Sequence, residues 1–274
     1  MSTPKHLPFR AVAFDLDDTL LRDDRTISDR TVAVLRLLAK EGVHILPASG
    51  RAQLSMKPYV DQMACASLYL CCNGAEIHDA KNHALLHAEV FSMEIGREIA
   101  AFGKRHRLYS QTYEGSCFYY NEDSVWAVRY AESSMLTGVC VGDLERYIQE
   151  PRNKILMMDT PERIAALLPE ARAQFAGRAS VTCSKPYFME FNPPRATKGI
   201  ALEKALTLLG IGLSDCLAFG DSLNDLSMLQ AAGRGVLMAN GRPDLRSLCD
   251  DLCPSNQEDG VAQYLESCFQ EVFA

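Results

Sequence analysis

Residues 12–21 read VAFDLDDTLL, an apolar run that leads directly into closely spaced carboxylates. Val12–Phe14 predicts a buried strand, and Asp15 lies where that strand should end. Asp17 follows two residues later, so both carboxylates lean to the same side of an extended chain. Burying two acids at a strand end costs several kcal/mol unless something such as a divalent cation compensates. The stretch taken alone is equally compatible with a strand followed by an acidic, solvated turn.

The composition predicts a globular protein with a large core. The 274 residues are 47% hydrophobic and 23% charged, which is enough for one large or two medium domains. The net charge is −7 and the sequence contains no dense run of Lys and Arg. This balance argues against nucleic acid or an anionic membrane as the main partner. Phosphorylated small molecules stay compatible with it, because they need only a few well-placed cations.

Cysteine usage and the N-terminal segment predict a soluble cytoplasmic protein. The ten cysteines are scattered, mostly within apolar segments, and Cys249 and Cys253 form only a lone CxxxC. Such cysteines are typical of buried free thiols in a reducing compartment. The segment MSTPKHLPFR carries no apolar signal region, and no run approaches the length of a membrane span. The oligomeric state cannot be predicted from the sequence.

The two ends of the chain alternate strand and helix. Ser28 can cap a helix that ends at Gly42, and a second helix is expected directly after Ser49, as far as about Met63. Short apolar strands are predicted at 12–14, 44–48, 67–72, 216–219, 235–238 and 252–254, and a further helix at 197–209. Such alternation indicates an α/β fold with a doubly wound, mainly parallel sheet.

Between residues 85 and 190 the pattern changes. Neighbouring strand-like runs joined by short turns predict antiparallel pairing. The predicted strands are 108–113, 117–121, 136–141, 155–159, 180–183 and 187–192, with helices at 93–105, 124–133 and 161–175. We therefore expect a core domain of residues 1–84 and 191–274, interrupted by an inserted α+β domain of residues 85–190.

Three further polar signals follow predicted strands or begin helices, where open α/β sheets bind their ligands. Ser49 and Gly50 can donate to an anion, although an N-cap Ser with a turn Gly is the commoner explanation. Lys198 in the first turn of its helix opposes the helix dipole, and a bound anion would reverse this effect, although a solvated lysine is the commoner explanation. The stretch 219–225, FGDSLND, places Asp221 directly after a strand. With Asp15 and Asp17 it could complete an oxygen-only site suited to Mg²⁺.

In chain order, FDLDDTL, SGR, Lys198 and GDSLND resemble the four motifs of the haloacid dehalogenase-like (HAD) phosphohydrolase superfamily. The insert resembles the type IIB cap, and residues 73–75 and 238–261 resemble the Cof-type branch. The resemblance implies a Rossmann-like core with an inserted cap domain that acts as a lid and reads the leaving group. One departure is Asp18, where Cof-type chains usually carry Gly.

The resemblance also implies roles for individual residues. Asp15 would be the nucleophile that forms an aspartyl-phosphate, and Asp17 the general acid and base. Mg²⁺ and Lys198 together should lower the pKa of Asp15 and keep it ionised, whereas like-charged neighbours and partial burial should raise that of Asp17. Asp15, Asp221 and the main-chain carbonyl of Asp17 would bind Mg²⁺. The phosphate would be bound by Leu16, Ser49, Gly50, Lys198 and Asn224. Thr19 would support the turn, and Asp225 would orient Lys198 or a metal-bound water.

Three functional hypotheses follow from these residues. The first is a Mg²⁺-dependent phosphatase of a small phosphorylated metabolite, such as a sugar phosphate, FMN or pyridoxal phosphate. The second is a phosphosugar mutase similar to phosphomannomutases, which would depend on a bisphosphate activator. The third is a non-catalytic protein that binds phosphorylated metabolites, which the complete set of catalytic residue types disfavours.

Overall fold

The computed structural model describes residues 7–115, 117–134 and 136–273. Within them the chain divides into two units. The core unit comprises the described parts of 1–50, 56–86 and 197–274, and the inserted unit comprises 51–55 and 87–196. The inserted unit therefore extends past residue 190, where the sequence predicted its end, because the last strand of its sheet continues to Asn192.

The elements follow one another along the chain with short connections. The strands are β1 (Ala11–Phe14), β2 (His44–Pro47), β3 (Leu68–Cys71), β4 (Glu76–Asp79), β5 (Leu85–Ala88), β6 (Tyr109–Glu114), β7 (Cys117–Tyr120), β8 (Thr137–Cys140), β9 (Ile155–Met158), β10 (Ser180–Thr182), β11 (Phe188–Asn192), β12 (Cys216–Gly220), β13 (Arg234–Met238) and β14 (Asp251–Cys253). The helices are α1 (Asp29–Lys40), α2 (Gln53–Met63), α3 (Met93–Arg105), α4 (Val125–Ser134), α5 (Leu144–Tyr147), α6 (Pro161–Gln174), α7 (Lys198–Leu209), α8 (Leu226–Ala231), α9 (Gly260–Cys268) and α10 (Gln270–Phe273).

The core unit is built on a parallel sheet in the order β14-β13-β12-β1-β2. Strand β1 lies between β12 and β2, and Phe14 at its end pairs with Phe219 of β12 and Pro47 of β2. Isolated parallel bridges at Ile45–Ala66 and Ala48–Leu70 continue this arrangement toward β3. The predicted α/β fold with a mainly parallel sheet is thereby confirmed, and the strands that carry the predicted motifs end at one edge.

Two helix starts show how local chemistry sets the elements. Ser28 caps α1 by accepting a hydrogen bond from the Thr31 amide, as the sequence predicts. The prediction that a helix begins directly after Ser49 is wrong, because a bend precedes α2 and the first helical residue is Gln53. The amides of Ser49 and Gly50 therefore belong to a loop and not to the first turn of a helix.

The inserted unit contains a six-stranded sheet in the order β10-β11-β9-β6-β7-β8. Its pairs are antiparallel except β7 with β8, which is parallel because α4 connects the two strands as a crossover. Residues from α3 and α6, including Phe102 and Ile164, pack with Met157 of β9 in one core cluster. Ala127 of α4 packs with Tyr109 and neighbouring residues in another. This unit is the α+β module that the change of pattern predicts.

Two further observations concern the whole described chain. All ten cysteines are free thiols. Among the helices in the described part, none combines the length and the apolar character that crossing a membrane requires.

Candidate active site

Lys198 is the centre of a buried ion cluster in the core unit. It begins α7 after the N-cap Thr197, and its side chain is fully buried. Its Nζ donates to Asp15 Oδ1 and, at 2.5 Å, to Asp225 Oδ1. Burial opposes the charge of Lys198, but Asp15 and Asp225 outweigh it and raise the lysine pKa above its usual value. Three motifs that are far apart in sequence therefore meet at one ammonium group.

Asp225 uses both carboxylate oxygens to hold this cluster together. Oδ1 accepts from Lys198, and Oδ2 accepts from the amides of Asp221 at 3.1 Å and Ser222 at 3.0 Å. The loop can close this tightly because residue 220 is glycine: a Cβ there would lie 2.5 Å from the Asp225 Cβ. Asp225 thus positions Lys198 and the loop after β12.

Asp221 lies beside the end of β1. Thr19 Oγ1 donates to Asp221 Oδ1 at 3.1 Å, which ties the turn after β1 to the loop after β12. Burial, followed by the negative charge of Asp225, raises the pKa of Asp221 to about 7 despite the opposing effects of Thr19 and Lys198. The Asp221 carboxylate is therefore costly to ionise in the protein alone.

The pKa of Asp15 is raised by the same kind of environment. Burial raises the pKa of its carboxyl well above its usual range, and Lys198 only partly opposes this. Lys198 lowers the Asp15 pKa, as expected, but without Mg²⁺ it does not offset the effect of burial. The physical reason is that one ammonium is shared between two buried carboxylates, with Asp221 adding further negative charge.

The cluster has the donor chemistry of a divalent-cation site. One oxygen each from Asp15, Asp221 and Asp225 lies within 4.8 Å of the others. Carboxylate oxygens are the ligands that hard cations prefer, and a cation would offset the excess negative charge described above. Because both oxygens of Asp225 already accept hydrogen bonds, Asp15 and Asp221 are the better placed ligands.

The turn after Asp15 orients its acidic residues outward. Asp17 has extended backbone angles (φ −69°, ψ 128°) and Asp18 is left-handed (φ 61°), so that Leu16 and Leu20 take the buried positions. The side chains of Asp17 and Asp18 are exposed. The expected partial burial of Asp17 is therefore wrong. The Asp18 carbonyl accepts from Asn240 Nδ2 at 2.7 Å, which holds the turn.

Asn73 links two of the predicted phosphate-binding positions, a role that the sequence analysis missed. Its side-chain Oδ1 accepts from Asn224 Nδ2 at 3.1 Å and would lie 3.0 Å from a Cβ at residue 50. Its amide donates to the carbonyl of the buried Ser49 at 3.0 Å. The left-handed conformation of Asn73 (φ 57°) suits an Asn-Gly pair, which in sequence indicates only a turn.

Residues 12–265 match the family model of haloacid dehalogenase-like hydrolases. Because the match covers nearly the whole chain, the protein belongs to this family, and the resemblance of the four motifs is confirmed.

Relatives with assigned activities support the same class of enzyme. The chain is 28% identical to the HMP-PP phosphatase of Serratia proteamaculans, with 94% of each chain covered. It is also 28% identical to the 5-amino-6-(5-phospho-D-ribitylamino)uracil phosphatase of Bacillus subtilis, over 94% of this chain and 97% of the relative. A haloacid dehalogenase-like hydrolase from Bacteroides thetaiotaomicron superposes with a TM-score of 0.87 at 26% identity, covering 94% and 99% of the two chains. The chain is thus an enzyme of a hydrolase family whose named relatives are phosphatases.

Proposed function

We propose that this enzyme is a Mg²⁺-dependent phosphatase that hydrolyses a small phosphorylated metabolite through an aspartyl-phosphate on Asp15. The observation that carries the proposal is the fully buried Lys198, which donates to Asp15, directly after β1, and to Asp225, in the loop after β12. An ammonium in this position can compensate both an attacking carboxylate and an incoming phosphoryl group. The phosphatase relatives support the reaction class.

Asp15 is the proposed nucleophile. Its carboxylate would attack phosphorus, the bond to the leaving oxygen would break, and the phosphoryl group would remain on Asp15 until water removes it. Asp15, Asp221 and the main-chain carbonyl of Asp17 would hold Mg²⁺. When bound, Mg²⁺ supplies the positive charge that keeps the Asp15 carboxylate ionised and lessens its repulsion from the phosphate.

Asp17 is the proposed general acid and base. As an acid it would protonate the leaving oxygen, and as a base it would then take a proton from the attacking water. Its exposed side chain is accessible both to a substrate oxygen and to solvent. The extended backbone at Asp17 leads directly into the turn that Thr19 ties to Asp221.

The phosphoryl oxygens would be held by donors around this carboxylate. The proposed donors are the amides of Leu16 and Gly50, the Ser49 hydroxyl, the Lys198 ammonium and the Asn224 amide group. Asn73 supports this set because it accepts from Asn224 and lies against Gly50. Asp225 supports it from the other side by orienting Lys198.

A phosphate-release screen tests the proposal. The full chain is assayed against sugar phosphates, FMN, pyridoxal phosphate and the phosphorylated compounds named for its relatives, with Mg²⁺ and with EDTA. We expect turnover of at least one of these compounds in Mg²⁺, loss of turnover in EDTA and loss of turnover in Asp15→Asn. Equal phosphate release from Asp15→Asn, or activity indifferent to EDTA, would overturn the mechanism.

The same screen separates the phosphatase from the mutase hypothesis. A phosphatase releases inorganic phosphate without an activator, whereas a mutase would depend on a sugar bisphosphate and release phosphate only slowly. Acid quench of Asp17→Asn gives a second test. The aspartyl-phosphate should accumulate on this variant, because the residue that activates the hydrolytic water is missing, and mass spectrometry would detect the added phosphoryl group.

A further inference from the structure

A second group of metal-ligating side chains lies on the hairpin formed by β3 and β4. Cys71, Glu76 and His78 each offer one ligand atom, and these three atoms lie within 4.8 Å of one another. The proposed active-site carboxylates are all oxygen donors, whereas this group combines a sulfur, a nitrogen and an oxygen. The function proposed above uses none of these three side chains.

The register of the hairpin brings the group together. Cys71 is directly opposite Glu76, and Tyr69 is directly opposite His78. Side chains two residues apart on a strand point to the same face, so all four residues share one side of the hairpin. The Tyr69 ring stacks on the His78 ring at 5.2 Å between centroids, which fixes the plane of the imidazole.

The contacts of His78 match those of a metal-bound histidine. Its Nδ1 lies 3.3 Å from the His83 carbonyl, a partner to which a ligating histidine donates its other ring proton. Its Nε2 lies 2.8 Å from Glu76 Oε2, so two of the three ligand atoms already face each other. The Cys71 thiol donates to Met56 Sδ at 3.4 Å, which places a second sulfur atom beside the group.

We propose that Cys71, Glu76 and His78 form a zinc-binding site that is separate from the proposed Mg²⁺ site. Thiolate, imidazole and carboxylate are the three ligand types that zinc takes in proteins. A tetrahedral zinc ion has bonds of roughly 2.0–2.3 Å and spaces its ligand atoms by roughly 3.5 Å. The three ligand atoms lie within 4.8 Å of one another, so small side-chain movements would bring them to this spacing. Zinc binds the thiolate form of cysteine, so binding would release the Cys71 thiol proton to solvent.

Partial exposure of one of the three ligands provides a route for the ion. Cys71 and His78 are buried, whereas the Glu76 side chain is 18% exposed. Zinc would therefore enter past Glu76, and a water molecule on this side would complete its coordination.

The site would fasten the base of the loop that carries Asn73. Cys72, Asn73 and Gly74, three consecutive residues between the ligands Cys71 and Glu76, all have positive φ. Non-glycine residues in this conformation are strained and persist only where the surrounding structure fixes them. A cation that joins the two strands at Cys71 and Glu76 would supply such a constraint and stabilise the loop.

Cobalt substitution provides a test that does not depend on enzymatic activity. The reduced full chain is stripped with a chelator and titrated with Co²⁺, and zinc is then added. We expect a near-ultraviolet thiolate-to-cobalt charge-transfer band that saturates at one equivalent and disappears when zinc displaces cobalt. The oxygen-only cluster around Asp15 cannot produce this band, so failure of either proposal is seen separately.

Matched variants assign the band to these residues. Cys71→Ser should abolish it and weaken zinc binding by at least about tenfold. Cys253→Ser is the control, because Cys253 is also buried with its Sγ close to a methionine sulfur, at 3.2 Å from Met238 Sδ, and should leave the band unchanged. If Cys71→Ser fails to fold, Glu76→Gln, at a partly exposed position, should keep the band and lower the affinity. Absence of the band in the wild-type chain, or its persistence in Cys71→Ser, would overturn the proposal.

Discussion

Two buried lysines, one in each unit, pair with carboxylates in different ways. In the inserted unit, Lys154 Nζ donates to Glu190 Oε1 at 2.6 Å, and the two side chains are only 5% and 6% exposed. In the core unit, Lys198 donates to both Asp15 and Asp225, and Asp221 lies close by. The first group is a pair of opposite charges, whereas the second has more negative than positive charge.

The comparison shows that burial of a lysine does not by itself indicate chemistry. A buried pair of opposite charges is balanced without a further ligand, although removing one partner is costly. An excess of buried carboxylates destabilises the folded protein until a cation binds. Such an excess therefore indicates a binding site. The following variants test this difference between the two lysines.

The largest effect is expected at Lys198. Lys198→Met should lower kcat by about 10³-fold, because it removes the cation that stabilises charge on the transferred phosphoryl group. Lys204→Met, later in the same helix, is the control and should retain activity. Steady-state kinetics on the best substrate of the screen measures both variants. A Lys198→Met enzyme with wild-type kcat would show that Lys198 is as structural as Lys154.

At Lys154 the expected effect is on stability. Lys154→Met should reduce the free energy of unfolding by about 3–5 kcal/mol, because Glu190 would remain buried without its cation. Lys154→Met combined with Glu190→Leu should recover most of this loss, because the unpaired charge is then also removed. Urea denaturation of the three proteins gives the values. A double variant no more stable than Lys154→Met would contradict the interpretation as a matched pair.

The excess charge in the core unit predicts a pH dependence of the metal-free protein. Burial raises the pKa of Asp221 from its ordinary value of 3.8 to about 7. Between these values the folded state binds more protons than the unfolded state, so stability should fall as the pH rises through this window. Asp221→Asn should flatten the profile and be more stable at pH 8 by on the order of 2 kcal/mol.

With Mg²⁺ bound, the wild type should be more stable than Asp221→Asn at pH 8. Saturating Mg²⁺ stabilises any folded protein that binds it, so it should raise the Tm of the wild type and leave Asp221→Asn nearly unchanged. Thermal denaturation at pH 5 and pH 8, with Mg²⁺ and with EDTA, measures both effects. Parallel pH profiles for the two proteins would mean that Asp221 is not a costly charge.

The smallest effect is expected at Thr19. Thr19→Val removes the hydrogen bond to Asp221 Oδ1, which is worth about 1 kcal/mol. Because this bond opposes the rise in the Asp221 pKa, Mg²⁺ binding should also weaken severalfold. Thr19→Ser keeps the hydroxyl and should behave as the wild type in a Mg²⁺ titration. Equal Mg²⁺ affinities of Thr19→Val and Thr19→Ser would show that the Thr19 hydroxyl does not support the Mg²⁺ site.

Much of the core unit could be predicted because its signals are local. The apolar runs before Asp15 and Asp221 define buried strands, and parallel strands place the residues that follow them at one edge of a sheet. Lys198 could be placed near them only because the four motifs occur in a familiar order. Its burial and its two partners depend on packing that no local pattern contains.

Other features depend on contacts between distant segments. Asn73 is part of an ordinary turn signal, and its bond to Asn224 arises only when the loops after two strands meet. The pairing of Cys71 with Glu76 depends on a register that the left-handed residues between them set. Asp17 was expected to be partly buried, but the chain turns at the left-handed Asp18 and leaves Asp17 exposed.

The hydrogen bond between Thr19 and Asp221 has a consequence for synthesis of the chain. Its two residues are 202 positions apart. At roughly 5–20 residues per second, roughly 10–40 s pass between the emergence of the first and of the second. During this time β1 has β2 as a partner on one side, while the side that later pairs with β12 is an open edge. A growing chain therefore cannot complete this sheet until most of its residues have been translated.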